Sequence, residues 1–204
     1  MARSYSSQLR AEQAQATRLR ILEAGARVMA RPLDDFSIPA VADEAGVAVA
    51  TVYRNFNTRQ ELIDALLVHY SGQIAGAAGI VLGDTPPAPA TPEELRSAFR
   101  AGYERMASLD PTLQAALATR LADDARRAHR DERVQRISAL LQSVAAGMTI
   151  DNQNRLVQLA VVLASSATVR SFDVLLGASP GDAADVVTWA IMRLARPDAN
   201  GRRG

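Results

Sequence analysis

A short segment that begins at Ser37 constrains the fold more than any other part of the chain. Its apolar residues fall at i, i+3, i+4 and i+7, which is the spacing of one helix face, and they are Ile38, Val41, Ala42 and Ala45. Ser37 can cap this helix, because its hydroxyl can accept a hydrogen bond from a free backbone N–H group. Gly46 follows at once, and glycine tolerates the left-handed backbone in which helices commonly end. The segment therefore predicts a short helix that stops at a tight turn.

A second short helix, about Ala48 to Phe56, is predicted after this turn. Val52 and Phe56 lie four residues apart and share its inner face. The outward residues carry hydroxyl, guanidinium and amide groups, and they are Thr51, Tyr53, Arg54 and Asn55. Such groups contact the phosphates and base edges of DNA. Two helices joined by a glycine turn, with this face on the second, are typical of a helix-turn-helix.

Individual residues of this segment have more than one interpretation. Thr51 and Tyr53 offer hydroxyls to phosphate oxygens, and Arg54 offers either a phosphate contact or a two-pronged bond to guanine. Arg59 begins a further helix, whose N-terminal N–H groups can share a phosphate with it. The alternatives are a packing role for the Tyr53 ring and ordinary solvated side chains for both arginines.

Several sequence blocks occur in a fixed order around this segment: RILEAG at 20–25, AGV at 45–47, TVYRNF at 51–56 and RQEL at 59–62. Over about residues 17–70 the chain resembles the N-terminal domain of the TetR family of bacterial transcriptional regulators. This resemblance implies a homodimer that represses transcription on a palindromic double-stranded DNA operator. It also implies a small-molecule effector, of unknown identity, bound by a second helical domain.

Three positions depart from the family pattern. The family usually shows a serine, a variable and often basic residue, and a glycine where this chain has Ala48, Val49 and Ala50, so we expect methyl contacts to thymine there. Pro32 replaces a common glycine, and Asn55 replaces a common aromatic residue or histidine and can contact adenine or phosphate. The DNA-binding residues expected from the motif and the resemblance are Ser37, Ala48, Val49, Thr51, Tyr53, Arg54, Asn55 and Arg59.

The charge balance keeps a second class of function open. The formal net charge is only +1, and residues 1–70 carry eight arginines and eight acidic residues. The whole molecule is therefore not strongly basic, and any basic footprint is local. The alternative function is a helical ligand-binding or sequestering dimer with weak or no specific DNA binding.

Composition argues against several other classes. Cysteine is absent, and the two histidines, His69 and His129, are isolated from other metal-ligating side chains. We therefore expect no enzyme, no catalytic residue, no metal and no cofactor. The sequence lacks an apolar run of membrane-spanning length and a signal-peptide pattern at its N-terminus, so we expect no membrane partner and a cytoplasmic location.

The helical patterns predict an all-α fold. An N-terminal three-helix helix-turn-helix domain is joined by a long helix to a C-terminal helical ligand-binding and dimerisation domain. The predicted segments are a flexible arm at 1–15, the DNA-binding domain at 16–72, the effector-binding and dimerisation domain at 73–197, and a tail at 198–204. The first helix is predicted at about 16–30, the long helix from Arg59 to about Val81, and a proline-rich loop at 83–92.

An apolar effector pocket with a few polar groups is expected in the second domain on the strength of the family resemblance. The candidate lining residues are Phe99, Tyr103, Met106, Leu117, Arg120, Ile137, Leu141, Ser165, Thr168 and Phe172. The same spacing fits a filled bundle core equally well.

The last two predicted helices, about 152–176 and 181–195, are rich in small and apolar residues on more than one side. Such faces need a partner, and the TetR resemblance implies that these helices form the dimer. The candidate interface residues are Leu163, Val187, Trp189, Ile191 and Leu194. The alternative is that both helices are buried within one chain.

Overall fold

A computed structural model describes residues 2–31, 36–77 and 90–196, with side chains from residue 8 onward. Within these ranges the chain forms eleven helices and no strand, which confirms the all-α prediction. The helices are α1 (Ala2–Met29), α2 (Ile38–Ala45), α3 (Val49–Asn55), α4 (Arg59–Ala77), α5 (Pro92–Ala107), α6 (Pro111–Leu117), α7 (Arg120–Ala128), α8 (Arg130–Leu141), α9 (Ile150–Leu163), α10 (Ser166–Leu176) and α11 (Pro180–Leu194).

The chain divides into two compact units. The first contains residues 1–70 and 110–126, and the second contains residues 71–109 and 127–204. Helices α1 to α3, most of α4, α6 and most of α7 therefore lie in the first unit. The second unit contains the end of α4, α5 and helices α8 to α11.

The first helix begins earlier than the sequence predicted. It starts at Ala2, so the predicted helix start near residue 16 is wrong, and the flexibility of the arm at 1–15 stays a prediction. Alanine, glutamine, glutamate and arginine are strong helix formers, and this segment has no proline or glycine to stop a helix. Helical propensity is enough to extend α1 although its described side chains at 8–16 are exposed.

The core of the first unit is built by the faces that the sequence pattern predicted. Buried apolar side chains come from α1, α2, α3 and α4, and the most enclosed are Ile21, Val28, Val41, Val52, Phe56, Leu62, Ile63 and Leu66. Helix α6 packs against α1 and buries Leu113 and Leu117. Gly25 allows α1 to approach α4 closely, because a Cβ there would lie 3.1 Å from Leu66 Cδ1, tighter than an ordinary contact.

The second unit has a separate apolar core. Helix α5 packs most extensively on α11, and α10 adds to the same side. Thr91 caps α5 through a reciprocal capping box with Glu94, and Ser179 caps α11 by accepting from Asp182 N–H. The hydrogen bonds from Thr91 lower the pKa of the Glu94 carboxyl. Local capping rules therefore set where both helices begin.

The predicted helix over 152–176 is wrong, since the chain breaks there into α9 and α10, bent by 68°. The carbonyl groups at the end of α9 accept from side chains. Arg133 donates to Val161 O at 3.2 Å and Ala164 O at 2.8 Å, Thr168 Oγ1 donates to Val162 O at 2.9 Å, and Tyr103 OH donates to Leu163 O at 2.6 Å. These donors replace the helical bonds that a continuous helix would have made.

Two further features concern the ends of predicted elements. Helix α4 is described to Ala77, and the predicted helix end near Val81 and most of the proline-rich loop at 83–92 lie outside the described residues. Taken singly, none of the described helices combines the length and the apolar character needed to cross a membrane. Among these helices, only the bent pair of α9 and α10, taken together, has the required length and apolar character.

Candidate nucleic-acid interface

The turn between α2 and α3 has the geometry that its residues predicted. Ser37 has an extended backbone, and its hydroxyl accepts from Ala40 N–H at 3.3 Å. Gly46 has φ 63° and ψ 41°, the left-handed conformation that favours glycine. Val47 N–H then donates to Ala42 O at 3.0 Å, which closes the end of α2. The Ser37 oxygen is thus already committed as a cap acceptor.

Helix α3 presents one face to the core and the other to solvent. Val52 and Phe56 are fully buried, so the helix is held firmly from beneath. On the opposite side, Tyr53 is 50% exposed and Val49 is 40% exposed, and Ala48, Ala50 and Arg54 are exposed beside them. Four of the predicted contact residues are therefore accessible to solvent on α3 or at its start, and they are Ala48, Val49, Tyr53 and Arg54.

Hydrogen bonds order the polar part of this surface. Arg54 Nη2 donates to Thr51 Oγ1 at 2.8 Å, and Asn55 Nδ2 donates to Thr51 O at 2.8 Å. Asn55 is half-buried, so its amide stabilises the end of α3 and is less available than the sequence suggested. Ala48 precedes α3 with an extended backbone and makes no side-chain cap bond.

Two arginines make contacts that the sequence did not reveal, Arg18 with the end of α3 and Arg59 with the segment before α2. Arg18 Nη1 donates to Asn55 O at 2.7 Å, and its guanidinium lies 4.1 Å from the centroid of the Phe56 ring. Arg59 Nε donates to Phe36 O at 2.8 Å. Both guanidinium groups keep further N–H donors besides these contacts. Neither contact has a sequence signal, because Arg18 and Phe56, like Arg59 and Phe36, are distant along the chain.

Glu44 ties α2 to α1 through two arginines. Its carboxylate lies 2.6 Å from Arg27 Nε and 2.5 Å from Arg31 Nη2. The hydrogen bond from Arg27 lowers the pKa of the Glu44 carboxyl, and the positive charges of Arg27 and Arg31 add to this effect. These two cations therefore share one carboxylate within the protein. Arg54, Arg59 and Arg18 remain as the basic groups beside α3.

The start of α4 is also fixed by local bonds. Thr58 Oγ1 accepts from Glu61 N–H at 3.0 Å, and the Glu61 carboxylate accepts from Asn57 N–H at 2.8 Å. Thr58 is thus the cap of α4. The Glu61 charge stabilises the N-terminus of α4 and competes with a phosphate for the same end of the helix.

The comparison with protein families decides which fold this geometry represents. The model of the bacterial regulatory proteins of the tetR family matches residues 21–66, the segment that runs from α1 through the turn to α4. Residues 21–66 therefore form a domain of the TetR N-terminal type. A search among curated proteins finds no significant match.

Solved structures agree with the TetR fold beyond this segment. A TetR-like transcriptional regulator from Rhodococcus sp. RHA1 superposes with a TM-score of 0.59 at 18% identity, over 87% of this chain and 94% of that one. A TetR-family protein from Vibrio parahaemolyticus gives a TM-score of 0.54 at 21% identity, over 87% and 97% of the two chains. At such identities the likeness shows the fold alone, and it extends over both units.

The residues proposed for a TetR-type effector pocket do not share one environment. Leu117 is buried in the first unit, and Arg120 is an exposed residue of that unit. Tyr103, Met106 and Leu141 are buried in the core of the second unit. Phe99, Ile137 and Phe172 pack against that core, with Phe99 and Tyr103 in an edge-to-face contact. Ser165 and Thr168 are hydrogen-bonded to each other at the start of α10. These eight residues of the second unit are thus mainly packing and capping residues.

The residues proposed for the dimer interface fall into a buried group and an exposed group. Val187 and Ile191 are buried in the core of their own chain, so assigning them to a partner surface was wrong. Leu163 packs against the same core, whereas Trp189 and Leu194 are exposed. A stripe on α11 could not show which side faced α5, and α5 covers the Val187 side.

Other exposed apolar residues were missed by the sequence reasoning. They lie on α9, α10 and α11, and they are Leu159, Val162, Val174, Leu175, Leu176 and Val186. Val174, Leu175 and Leu176 are each more than 70% exposed. The signal was present, because three successive apolar residues in one helix cannot all face the same core.

Proposed function

We propose that this TetR-family protein is a ligand-responsive repressor that binds a palindromic DNA operator as a homodimer. The observation that carries the proposal is the exposed face of α3. Tyr53 and Arg54 stand in solvent there while Val52 and Phe56 anchor the helix from the other side. A short, rigid helix with such a face has the form of a recognition helix for the major groove.

The chemistry of this face suggests how DNA is read. Tyr53 and Arg54 supply a hydroxyl and a guanidinium for phosphate or guanine. Ala48, Val49 and Ala50 supply methyl groups, which favour thymine at the bases they approach. Because the cations beside α3 are few, affinity for a single half-site is expected to be modest, and two half-sites are needed.

Dimerisation supplies the second half-site. The exposed apolar side chains of α10 and α11, including Val174, Leu175 and Leu176 on α10, form a surface that water does not favour. A second copy is the occupant that the family resemblance implies. Two recognition helices on one face of DNA require half-sites about 34 Å apart or a multiple of that distance.

Ligand response follows from differential binding. An effector that binds the second unit better in a form that cannot span both half-sites lowers DNA affinity by that difference in binding free energy. A coupling of about 1 to 3 kcal/mol, or roughly 5- to 150-fold in affinity, is typical of such switches. In this scheme the effector site belongs to the second unit and the protein acts in the cytoplasm.

The decisive experiment compares specific and random DNA. Fragments from the region around the protein's own gene are titrated with the protein at moderate salt, with random DNA of equal length as the control. We expect at least one fragment to bind in preference to random DNA, since specific binding exceeds non-specific binding by about 10³-fold or more. Equal binding of all fragments would contradict the proposal.

A second candidate is a helical ligand-binding or sequestering dimer with weak DNA binding. It is favoured by the use of Arg27 and Arg31 in ion pairs with Glu44 and by the uncharged Ala48 and Val49 at the start of α3. This candidate predicts that all DNA fragments bind equally and weakly, and that affinity falls steeply with salt. The same titration therefore separates the two functions.

A further inference from the structure

The N-terminal part of α1 lies outside the core of the first unit. Helix α1 spans Ala2–Met29, and burial begins only at Ile21. We call residues 2–20 the α1 extension. Its described side chains, at 8–20, are exposed apart from the half-buried Thr17. Thr17 Oγ1 donates to Gln13 O at 2.8 Å, so Thr17 lies inside a continuous helix and does not begin one. The extension therefore offers its surface to another molecule.

The α1 extension also carries the basic excess of this part of the chain. Residues 1–22 contain four arginines and one acidic residue, whereas residues 23–70 contain four arginines and seven acidic residues. A local excess of arginine on one element is the electrostatic footprint of a surface that binds nucleic acid. Within residues 1–70, this footprint therefore lies at the extension.

Helical spacing places two arginines of the extension on one side of α1. Arg10, Ala14 and Arg18 follow one another at intervals of four residues, so they lie on the same side of the helix. Ala14 precedes the buried Ile21 by seven residues, which is about two turns. Arg18 precedes the buried Gly25 by the same number. The basic side of the extension, defined by Arg10, Ala14 and Arg18, therefore continues the side on which α1 packs against the rest of the first unit.

The other side of the extension is neither basic nor strongly apolar. It carries Glu12 and Arg20, whose charges cancel. It also carries Leu9 and Leu19, which are 46% and 41% exposed. These leucines are ten residues apart, or about 15 Å along the helix, so they do not form the continuous apolar stripe that a partner helix needs. The extension therefore favours an anionic partner over an apolar one.

The extension leaves the first unit at the end of α3. Arg18 Nη1 donates to Asn55 O at 2.7 Å, and its guanidinium lies 4.1 Å from the centroid of the Phe56 ring. Asn55 is the last residue of α3, and the exposed Arg54 directly precedes it. Arg10 lies about 12 Å further out along α1. A DNA duplex that contacts Arg54 therefore passes close to the extension.

We propose that the basic side of the α1 extension binds the DNA backbone beside the half-site that α3 contacts. The guanidinium groups of Arg10 and Arg18 donate to phosphate oxygens. They are about 12 Å apart along the helix, and each DNA strand carries a phosphate about every 3.4 Å, so they contact different phosphates. Such contacts use exposed cations and need no pocket. Neither arginine belongs to the DNA-binding residues expected from the motif, and the proposal rests on the proposed function, since α3 brings the extension to the duplex.

Two alanines provide a matched test of the basic side. Ala14 and Ala16 are both exposed, but Ala16 lies four residues after Glu12, on the other side of the extension. Ala14→Arg and Ala16→Arg add the same charge to the same helix at a similar small cost in helix propensity. We expect Ala14→Arg to bind DNA about tenfold more tightly, with a salt slope steeper by about one for each extension on the DNA. Ala16→Arg should bind like the wild type, and equal gains would overturn the proposal.

A second pair of variants tests the natural arginines. Arg10→Gln should weaken DNA binding about tenfold and make the salt slope shallower by about one for each extension. Arg20→Gln removes the same charge from the other side of the helix and should bind like the wild type. Far-UV circular dichroism checks that all four variants keep their helix content. Equal losses from Arg10→Gln and Arg20→Gln would overturn the assignment of Arg10.

The choice of DNA separates this proposal from the proposed function. Every protein is titrated with the fragment that the wild type prefers and with random DNA of equal length. Phosphate contacts carry no sequence information, so we expect the gain of Ala14→Arg on both DNAs. A wild type that prefers one fragment, with equal affinities of Ala14→Arg and Ala16→Arg, would overturn the role of the extension alone. A wild type without a preferred fragment would contradict the proposed function, and the two affinities for random DNA would still decide the role of the extension.

A protein partner is distinguished by sedimentation velocity of the same variants. We expect Ala14→Arg, Ala16→Arg and the wild type to have the same oligomeric state. If Ala16→Arg changed the oligomeric state while both variants bound DNA like the wild type, the extension would be a contact between copies of the chain. That result would also overturn the proposal.

Discussion

Gly46→Ala tests the backbone geometry on which the helix-turn-helix depends. Gly46 has φ 63°, and a Cβ placed there meets no heavy atom within 4 Å. The substitution therefore introduces no clash, and its cost is the left-handed conformation of an L-residue, about 1 to 2 kcal/mol. Alanine also restricts the unfolded chain, which offsets about 0.4 to 1 kcal/mol. We expect the free energy of unfolding to fall by about 1 kcal/mol.

Two other glycines provide matched controls. Gly177 ends α10 with φ 61° and also has no atom within 4 Å of a built Cβ, so Gly177→Ala should cost about as much in the second unit. Gly76 has the same free space but lies near the end of α4 without a positive φ. Gly76→Ala should therefore be neutral or stabilise by up to about 1 kcal/mol.

Urea unfolding separates these effects. Far-UV circular dichroism follows the helices of both units, and Trp189 fluorescence follows the second unit. Gly46→Ala should lower the stability seen by circular dichroism, while Gly177→Ala should shift the Trp189 transition. A Gly46→Ala variant as stable as Gly76→Ala would refute the left-handed turn, because free space and unfolded-chain entropy are alike at the two positions.

Three further predictions test single contacts. Ser37→Ala should lower the free energy of unfolding by about 1 kcal/mol, and Ala48→Ser should raise it by a similar amount. Equal urea midpoints for the two variants would contradict the cap assignments. The pKa of the Glu44 carboxyl is lowered in the folded protein, so Glu44 should stabilise the fold above its ordinary pKa of 4.5 and lose this effect as the pH falls through the lowered value. The test is a series of thermal melts of the wild type and Glu44→Gln from about pH 7 to about pH 3. A difference in melting temperature that stays constant over this range would disprove the prediction. Tyr103→Phe should cost about 1 to 3 kcal/mol, since it removes the donor to Leu163 O at the part-buried end of α9. An unchanged Trp189 unfolding transition would show that the bond to Leu163 O is dispensable.

The helix-turn-helix could be predicted because local rules determine it. Ser37 caps α2, Gly46 ends it, and Val52 and Phe56 orient α3, and all of these signals lie within twenty residues. The exposed position of Tyr53 follows from the same spacing. Propensity and periodicity were sufficient wherever the determining contacts were close in sequence.

The parts that could not be predicted depend on contacts between distant residues. The break between α9 and α10 relies on Tyr103 and Arg133, which come from α5 and α8. The contact of Arg18 with Phe56 joins α1 to α3. The burial of Val187 reflects the packing of α5 on α11. Periodicity states that a helix has an apolar face, but it does not state which neighbour covers that face.

The most direct test of the account is the affinity of a Tyr53→Phe, Arg54→Ala double variant for the operator fragment that the wild type prefers. The matched control is Arg155→Ala on α9, which also removes an exposed arginine. We expect the double variant to lose at least tenfold in affinity and to show a salt slope shallower by about one for each lost phosphate contact. Operator affinity equal to that of the control would contradict the assignment of α3 as the DNA-reading helix.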